Sequence, residues 1–151
     1  MKVYIAGPMT HHPQFNFPNF DNLAAWLRES GLDVVSPSEL DDPAAREAAM
    51  SSVDGDPDLY ARLTGLTWGD FLSRDVKLIA DGGFDLIVLM PEWQSSRGAR
   101  LESFVAFLSG IAIQEYNPIT GRLYACSLGY LLEGWGGEGT LDRDLLDAVV
   151  A

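Results

Sequence analysis

The stretch FDLIVLMPEWQSSRGARLESFVAFL, residues 84–108, decides the fold. From Phe84 to Met90 it is apolar except for Asp85, the pattern of a parallel strand buried on both faces. A Pro/Gly/Ser-bearing loop follows. Then Leu101, Phe104, Val105, Leu108 and Ile111 recur at helical spacing, which predicts a helix from about Gly98 to residue 113. Open α/β sheets keep their ligand sites at the carboxyl ends of such strands. Here that end carries Ser96, Gly98 and Glu102 in the pattern S-x-G-x-x-x-E.

Upstream, KVYIA (Lys2 to Ala6) reads as a short strand ended by Gly7-Pro8. The loop to Pro18 keeps Met9, His11, His12, Phe15 and Phe17, large groups without periodicity, as loops lining a pocket often do. A helix is expected from near Asn19, with Phe20, Leu23, Ala24 and Leu27 in phase and Gly31 as its stop. Leu32 to Val35 is a second strand, so the first 35 residues form a right-handed βαβ unit. Residues 41–66 read as an insertion: DDPAAREAAM allows a helix entered through Pro43, and SSVDGDPD looks like an acidic loop.

From Thr67 or Gly69 to Gly82-Gly83 the phase Trp68, Phe71, Leu72 and Ile79 predicts another helix, and its inward stripe passes through Asp75. Beyond residue 113, LYACSL (Leu123 to Leu128) reads as a strand. A Gly-rich GWGGEG and an amphipathic helix, Leu141 to Val149, follow. The order β-α-β-(insert)-α-β-α-β-α predicts a single domain, an α/β fold with a doubly wound, Rossmann-like or flavodoxin-like parallel sheet flanked by helices.

Composition narrows the function. The chain has 151 residues, 47% hydrophobic, with net charge −12, and its ten basic residues form no stripe. Such a field repels phosphate polymers, so DNA and RNA are unexpected partners, while a small anion held by local groups remains open. No stretch has transmembrane length, and no signal-peptide core is present. The single Cys126 suits a reducing compartment, and a cytoplasmic protein is expected. No Cys/His cluster with zinc spacing, EF-hand, P-loop lysine, G-x-G-x-x-G or G-x-S-x-G occurs, so neither a metal nor a redox cofactor is expected.

Several residues could carry chemistry, each with a plainer alternative. Glu102 borders the apolar stripe of its helix and could act as a carboxylate nucleophile; an acid near a helix N-terminus is also favoured by the macrodipole. Ser96 is a natural N-cap, and its hydroxyl with the free amides around Ser96 to Ala99, with Arg97 or Arg100 nearby, could instead bind an anion. Asp75, costly in an apolar stripe without a partner, is either a substrate-binding acid or a core carboxylate satisfied by an arginine such as Arg74. Tyr4 and Gly7 could form a pocket floor with Pro8, Met9 and Phe17, or be a packed tyrosine and a turn glycine. His11 and His12 read as exposed loop residues.

Four segments taken together are more specific: K-V-Y-I-A-G-P-M, F-N-F-P-N-F, W-x-x-F-L-x-R-D at Trp68 to Asp75, and S-x-G-A-R-L-E at Ser96 to Glu102. They resemble the nucleoside 2-deoxyribosyltransferase superfamily, which includes nucleoside-monophosphate N-glycosidases, in its phage- and bacteria-associated DUF4406-like branch. The resemblance covers roughly residues 1–40 and 67–113. It implies that Glu102 is the nucleophile on C1′ of the sugar, that Asp75 contacts substrate, and that the pocket begins at Tyr4 and Gly7. The transferases usually carry an aspartate six residues before the glutamate, whereas the monophosphate hydrolases carry serine, as at Ser96. An aspartate would repel a 5′-phosphate and Ser96 with Arg97 would accept one, so the expected partner is a nucleoside or, rather, a nucleotide. A non-catalytic nucleotide-binding or sensor module is the alternative. The apolar helix and the Trp135 region suggest a homo-oligomer.

Overall fold

A computed structural model describes residues 1–136. Five strands, β1 (Lys2–Ala6), β2 (Asp33–Val35), β3 (Leu86–Leu89), β4 (Ala112–Asn117) and β5 (Arg122–Ala125), form one sheet in the order β2-β1-β3-β4-β5. The first four are parallel, in registers that include Val3↔Val34, Tyr4↔Ile87 and Ile87↔Ile113. β5 runs antiparallel to β4 as an edge strand, with Tyr116 opposite Leu123. The chain winds outward from β1 to β2 on one side and through β3 to β4 on the other, the expected doubly wound α/β fold. The antiparallel edge is a common addition to such sheets.

Alternation along the strands divides the core. Val3, Ile5, Leu86, Val88 and Met90 pack against Phe20, Leu23 and Leu27 of α1 (Phe17–Glu29). Tyr4, Ala6, Ile87 and Leu89 face the other way, onto Ile79 of α4 (Trp68–Asp81) and Ala99 and Ala106 of α5 (Arg97–Leu108). Asp85, the one acid in the apolar run, accepts the backbone N–H of Lys2 at 2.6 Å, tying β3 to β1 at their entrance.

The 41–66 insertion is mostly helical. α2 (Pro43–Ala49) opens at Pro43 as expected, with Asp42 capping Ala44 N at 2.8 Å. The acidic segment read as a loop ends in α3 (Pro57–Thr64), capped by Asp56 through Asp58 N at 3.0 Å with Pro57 in its first turn. The insertion also pairs with the β1–α1 loop, through His11 N to Gly55 O at 2.9 Å and Gln14 N to Ser52 O at 2.8 Å.

Other boundaries moved. α1 starts at Phe17, two residues before Asn19, because Pro18 fits the first helical turn. The helix expected to reach residue 113 stops at Leu108: Gly110 turns the chain at φ 71°, and the Ile111 amide returns to Ala106 O at 2.9 Å. Ile111 therefore leads into β4, a strand absent from the sequence reading. The strand expected over Leu123 to Leu128 is β5, which ends at Ala125. Leu128 instead opens α6 (Leu128–Gly136), which takes in Trp135 and the start of the Gly-rich stretch. The helix expected from Leu141 to Val149 lies outside the described residues.

Candidate active site

Glu102 sits in the second turn of α5 and points at the sheet, where it is 7% exposed. The Tyr4 hydroxyl, from the middle of β1, donates to its Oε1 at 2.7 Å in a buried contact. Burial is the main reason the Glu102 carboxyl is pushed up to about 8, and the negative field of Asp75 adds to it; the Tyr4 hydrogen bond and Arg74 act the other way. Burial and the facing Glu102 likewise raise Tyr4 well above the usual phenol range, so it remains a donor. A carboxyl at the start of a helix for the macrodipole alone would face solvent. This one faces a phenol inside the core.

Asp75 comes from α4, the helix beside α5. Thr67 starts α4 with a capping box, accepting from Asp70 N at 3.2 Å while Asp70 accepts from Thr67 N at 2.7 Å. That start sets the phase in which Asp75 lies inward. Its Oδ1 accepts from Arg74 Nε at 2.9 Å, so the arginine partner anticipated for it exists. Burial nonetheless raises the Asp75 carboxyl, Arg74 partly offsetting that and Asp41 reinforcing it.

Arg74 is shared. Its Nη1 donates to Asp41 Oδ1 at 2.6 Å, and Asp41 has only 6% of its side chain exposed. The Tyr60 hydroxyl of α3 donates to the second oxygen of Asp41. Phe71 stacks on Tyr60 with ring centroids 5.5 Å apart, and Arg74 lies over the Phe71 ring at 5.3 Å. Asp41 and Tyr60 are the site residues that sequence reasoning missed. Asp41 sits in an acidic pair that looks solvated, and nothing in its spacing points 33 residues ahead to Arg74. Tyr60 left one weak signal, as the large inward group of a short amphipathic turn.

Ser96 caps α5, its hydroxyl accepting from Ala99 N at 3.2 Å, so the structural role assigned to it by pattern is present. Arg97 stands at the first position of α5 with its guanidinium 4.9 Å over the Trp68 ring. Gly98 lies beneath the same ring, 3.7 Å from where a Cβ would be. The N-terminal turns of α4 and α5 thus meet, with a cation between them. Trp68, assigned by periodicity to the inward stripe, is 48% exposed and serves that contact instead.

The β1–α1 loop is strained and tightly packed. His11, Gln14, Phe15 and Asn16 all have φ between 52° and 64°, a region costly for residues other than glycine. The Asn16 side chain holds the loop closed by donating to Pro8 O at 2.8 Å. Gly7 lies against Met90, and Met9 packs between the α1 cluster and a third cluster of Phe15, Phe17, Ala49 and Tyr60. Phe17 is completely buried in that third cluster. It stands three contacts from Arg74, through Tyr60 and Phe71, whereas the hydrogen-bond partner of Glu102 is Tyr4.

Two surface clefts of about 630 and 360 Å³ open at the carboxyl ends of β3 and β4. The larger is lined by Glu115, Tyr116, Cys126 and Tyr130, the smaller by His12, Asn16, Asn19 and Met90. Neither is lined by Glu102, Asp75 or Tyr4. Among the described residues no group of three or more His, Cys, Asp or Glu could hold a metal ion, and no helix is long and apolar enough to cross a membrane.

No curated protein and no solved structure matches the chain. One family model does, described as "Domain of unknown function (DUF4406)", over residues 1–54 and 59–115, a span that includes β1 to β3, the first four residues of β4 and all of Tyr4, Asp41, Arg74, Asp75, Ser96 and Glu102. By that match the chain belongs to the DUF4406 family.

Proposed function

We propose that the chain cleaves the N-glycosidic bond of a (deoxy)nucleoside 5′-monophosphate, or exchanges its base, through a covalent glycosyl-enzyme on Glu102. The observation that carries this reading is the buried Tyr4–Glu102 contact, with Asp75 and Arg74 acting on the same carboxyl. Ionised Glu102 attacks C1′ as the C1′–N bond breaks. The bonding electrons leave with the base, which takes a proton from Asp75, whose raised pKa suits a donor. Water then attacks C1′, returning its proton to Asp75 and freeing Glu102; a second base in place of water gives transfer. The amides at the start of α5, Ser96 and Arg97 favour an anionic 5′-substituent. Chromatography of free base released from nucleoside monophosphates tests the reading, with Glu102→Ala as control. A variant as fast as the parent removes Glu102 from the nucleophile's role.

A second reading rests on the burial of Glu102 and on its absence from both clefts: a nucleotide-binding or sensor module without turnover. It predicts a rise in melting temperature with nucleoside monophosphates and no base release. Under either reading the partner is a small nucleoside or nucleotide in the cytoplasm. Exposed Phe107, Leu108, Ile119 and Leu128 support a homo-oligomer.

A further inference from the structure

The clefts at the carboxyl ends of β3 and β4 share Pro91, Tyr116 and Pro118 in their lining, so they are two compartments of one groove. The smaller is walled by His12 and Asn16 of the β1–α1 loop on one side and by Met90 to Glu92, after β3, on the other. It therefore lies between β1 and β3, where the winding of the sheet reverses, the crevice in which open α/β sheets take ligands. Leu23 and Met90 in its lining belong to the α1 side of the core, whereas Tyr4, the partner of Glu102, packs on the other side. The groove is separate from the candidate active site.

Its lining decides what fits. Asn16, Asn19 and Asn22 recur every third residue at the start of α1, a spacing that sets them along one helix face. Asn19 donates one N–H to Asn16 Oδ1 at 2.7 Å; among the described residues its own carbonyl and the whole Asn22 amide are unused. Donors and acceptors without charge thus stand side by side. Among the described residues no Lys or Arg lines either compartment, while Glu92 and Glu115 do, so a phosphate or carboxylate is repelled. A cation is poorly served as well, because one oxygen of Glu115 already accepts from the Tyr130 hydroxyl at 2.5 Å. The larger compartment adds flat apolar surfaces, Tyr116, Tyr124 and Tyr130 among them.

The walls are also set in advance. Asn16 and Glu92, on facing sides, hold φ at 61° and 64°, and strain of this kind gathers at ligand clamps. Tyr116 rests against Trp26 with ring centroids 5.5 Å apart, and Tyr130 accepts from Gln94 Nε2 at 2.6 Å. A ligand meeting fixed side chains loses less of its binding to their ordering.

The matching ligand is uncharged, carries donors and acceptors along its length, and presents flat C–H faces to the tyrosines. A nucleobase offers one polar edge and leaves most of the amide row unmatched. We propose that the groove binds a short uncharged oligosaccharide, its hydroxyls on Asn19 and Asn22 and its ring faces on Tyr116 and Tyr130. The site stands with or without the cleavage proposed for Glu102.

The test titrates the intact ¹⁵N-labelled protein by NMR with maltotriose, cellotriose and triacetylchitotriose. At least one should give saturable shifts of the Asn19 and Asn22 side-chain amides and of the Glu92 and Asn117 backbone amides, with Tyr4 and Glu102 unmoved. Asn22→Ala changes an exposed position with no bond to lose, and should weaken that binding about tenfold, the loss of a hydrogen-bonding partner. Asn19→Ala is the second variant and should act the same way. No saturable shift with any of the three saccharides overturns the proposal, as does binding that both variants leave unchanged. Groove shifts with choline, blocked triglycine or thymine, and none with the saccharides, assign the groove to another class and overturn it too.

Discussion

The Tyr4 hydroxyl donates to Glu102 Oε1 at 2.7 Å across 98 residues of chain, so β1 and α5 are joined beneath the sheet face by one buried polar contact. Tyr4→Phe removes the direct donor and leaves a buried carboxyl without it. Losing such a partner costs about 1–3 kcal/mol, so urea unfolding of Tyr4→Phe at pH 6 should show a loss in that range. The hydrogen bond also favours ionised Glu102, and without it the carboxyl titrates at still higher pH. Base release by the variant should accordingly need more alkaline solution than the parent. Equal stability and an unmoved pH profile would remove the contact from both roles.

Stability against pH reads the same carboxyl without any assumption about chemistry. Glu102 is raised from an ordinary 4.5 to about 8 in the folded chain, burial being the main cause. Between those values the folded state binds the proton more tightly than the unfolded one, so the contribution is fully present below pH 4.5. It is lost as pH rises through about 8. By linkage that gap amounts to a few kcal/mol. Denaturation of the parent and Glu102→Gln at pH 5.5 and 9 should show the parent losing stability relative to the variant. Parallel curves would mean that Glu102 is ionised in the folded protein already.

Much of this arrangement was legible because periodicity and caps are local. The inward phase of Asp75 follows from Phe71, Leu72 and Ile79, although Trp68, counted in the same stripe, is exposed, and the N-cap role of Ser96 follows from its place before an apolar helix. β4 is hidden in the sequence because Ile111 fits the helical spacing of α5, and only the Ser109-Gly110 stop separates the two elements. Asp41 could not be read at all. Its partner comes from a helix 33 positions away, and an acid beside a second acid carries the same local signature whether it is solvated or 6% exposed. Long-range pairing of charges has no sequence period.

Ser96 separates two substrate classes under the proposed activity. Ser96→Asp keeps a capping oxygen for Ala99 N, so helix α5 should lose little stability, about 0.5 kcal/mol or less. The new carboxylate would stand where a 5′-phosphate is expected to approach, and like charges there weaken binding. Base release from a nucleoside monophosphate should fall at least tenfold in kcat/KM, while release from the matching nucleoside should be unchanged or improved. A variant that loses both substrates equally would show that the serine's place is structural.

Gly7 marks how closely β1 and β3 approach where the loop leaves the sheet. A Cβ on Gly7 would stand 2.8 Å from Met90 Cβ and 3.0 Å from its Cγ and Sδ, distances at which the methionine's own stem must move. Met90 is 4% exposed and its amide is pinned to Ala6 O at 2.8 Å, so the backbone cannot yield easily. Gly7→Ala should therefore cost about 1–3 kcal/mol, the usual range for overpacking a filled core. Removing the neighbour's Cβ along with its stem should relieve it: in a Met90→Gly background, the same change at Gly7 should cost less than half as much. Thermal or urea unfolding of the four proteins of that cycle measures the coupling directly. Additive effects would show that the glycine is required by the turn and not by the contact with Met90.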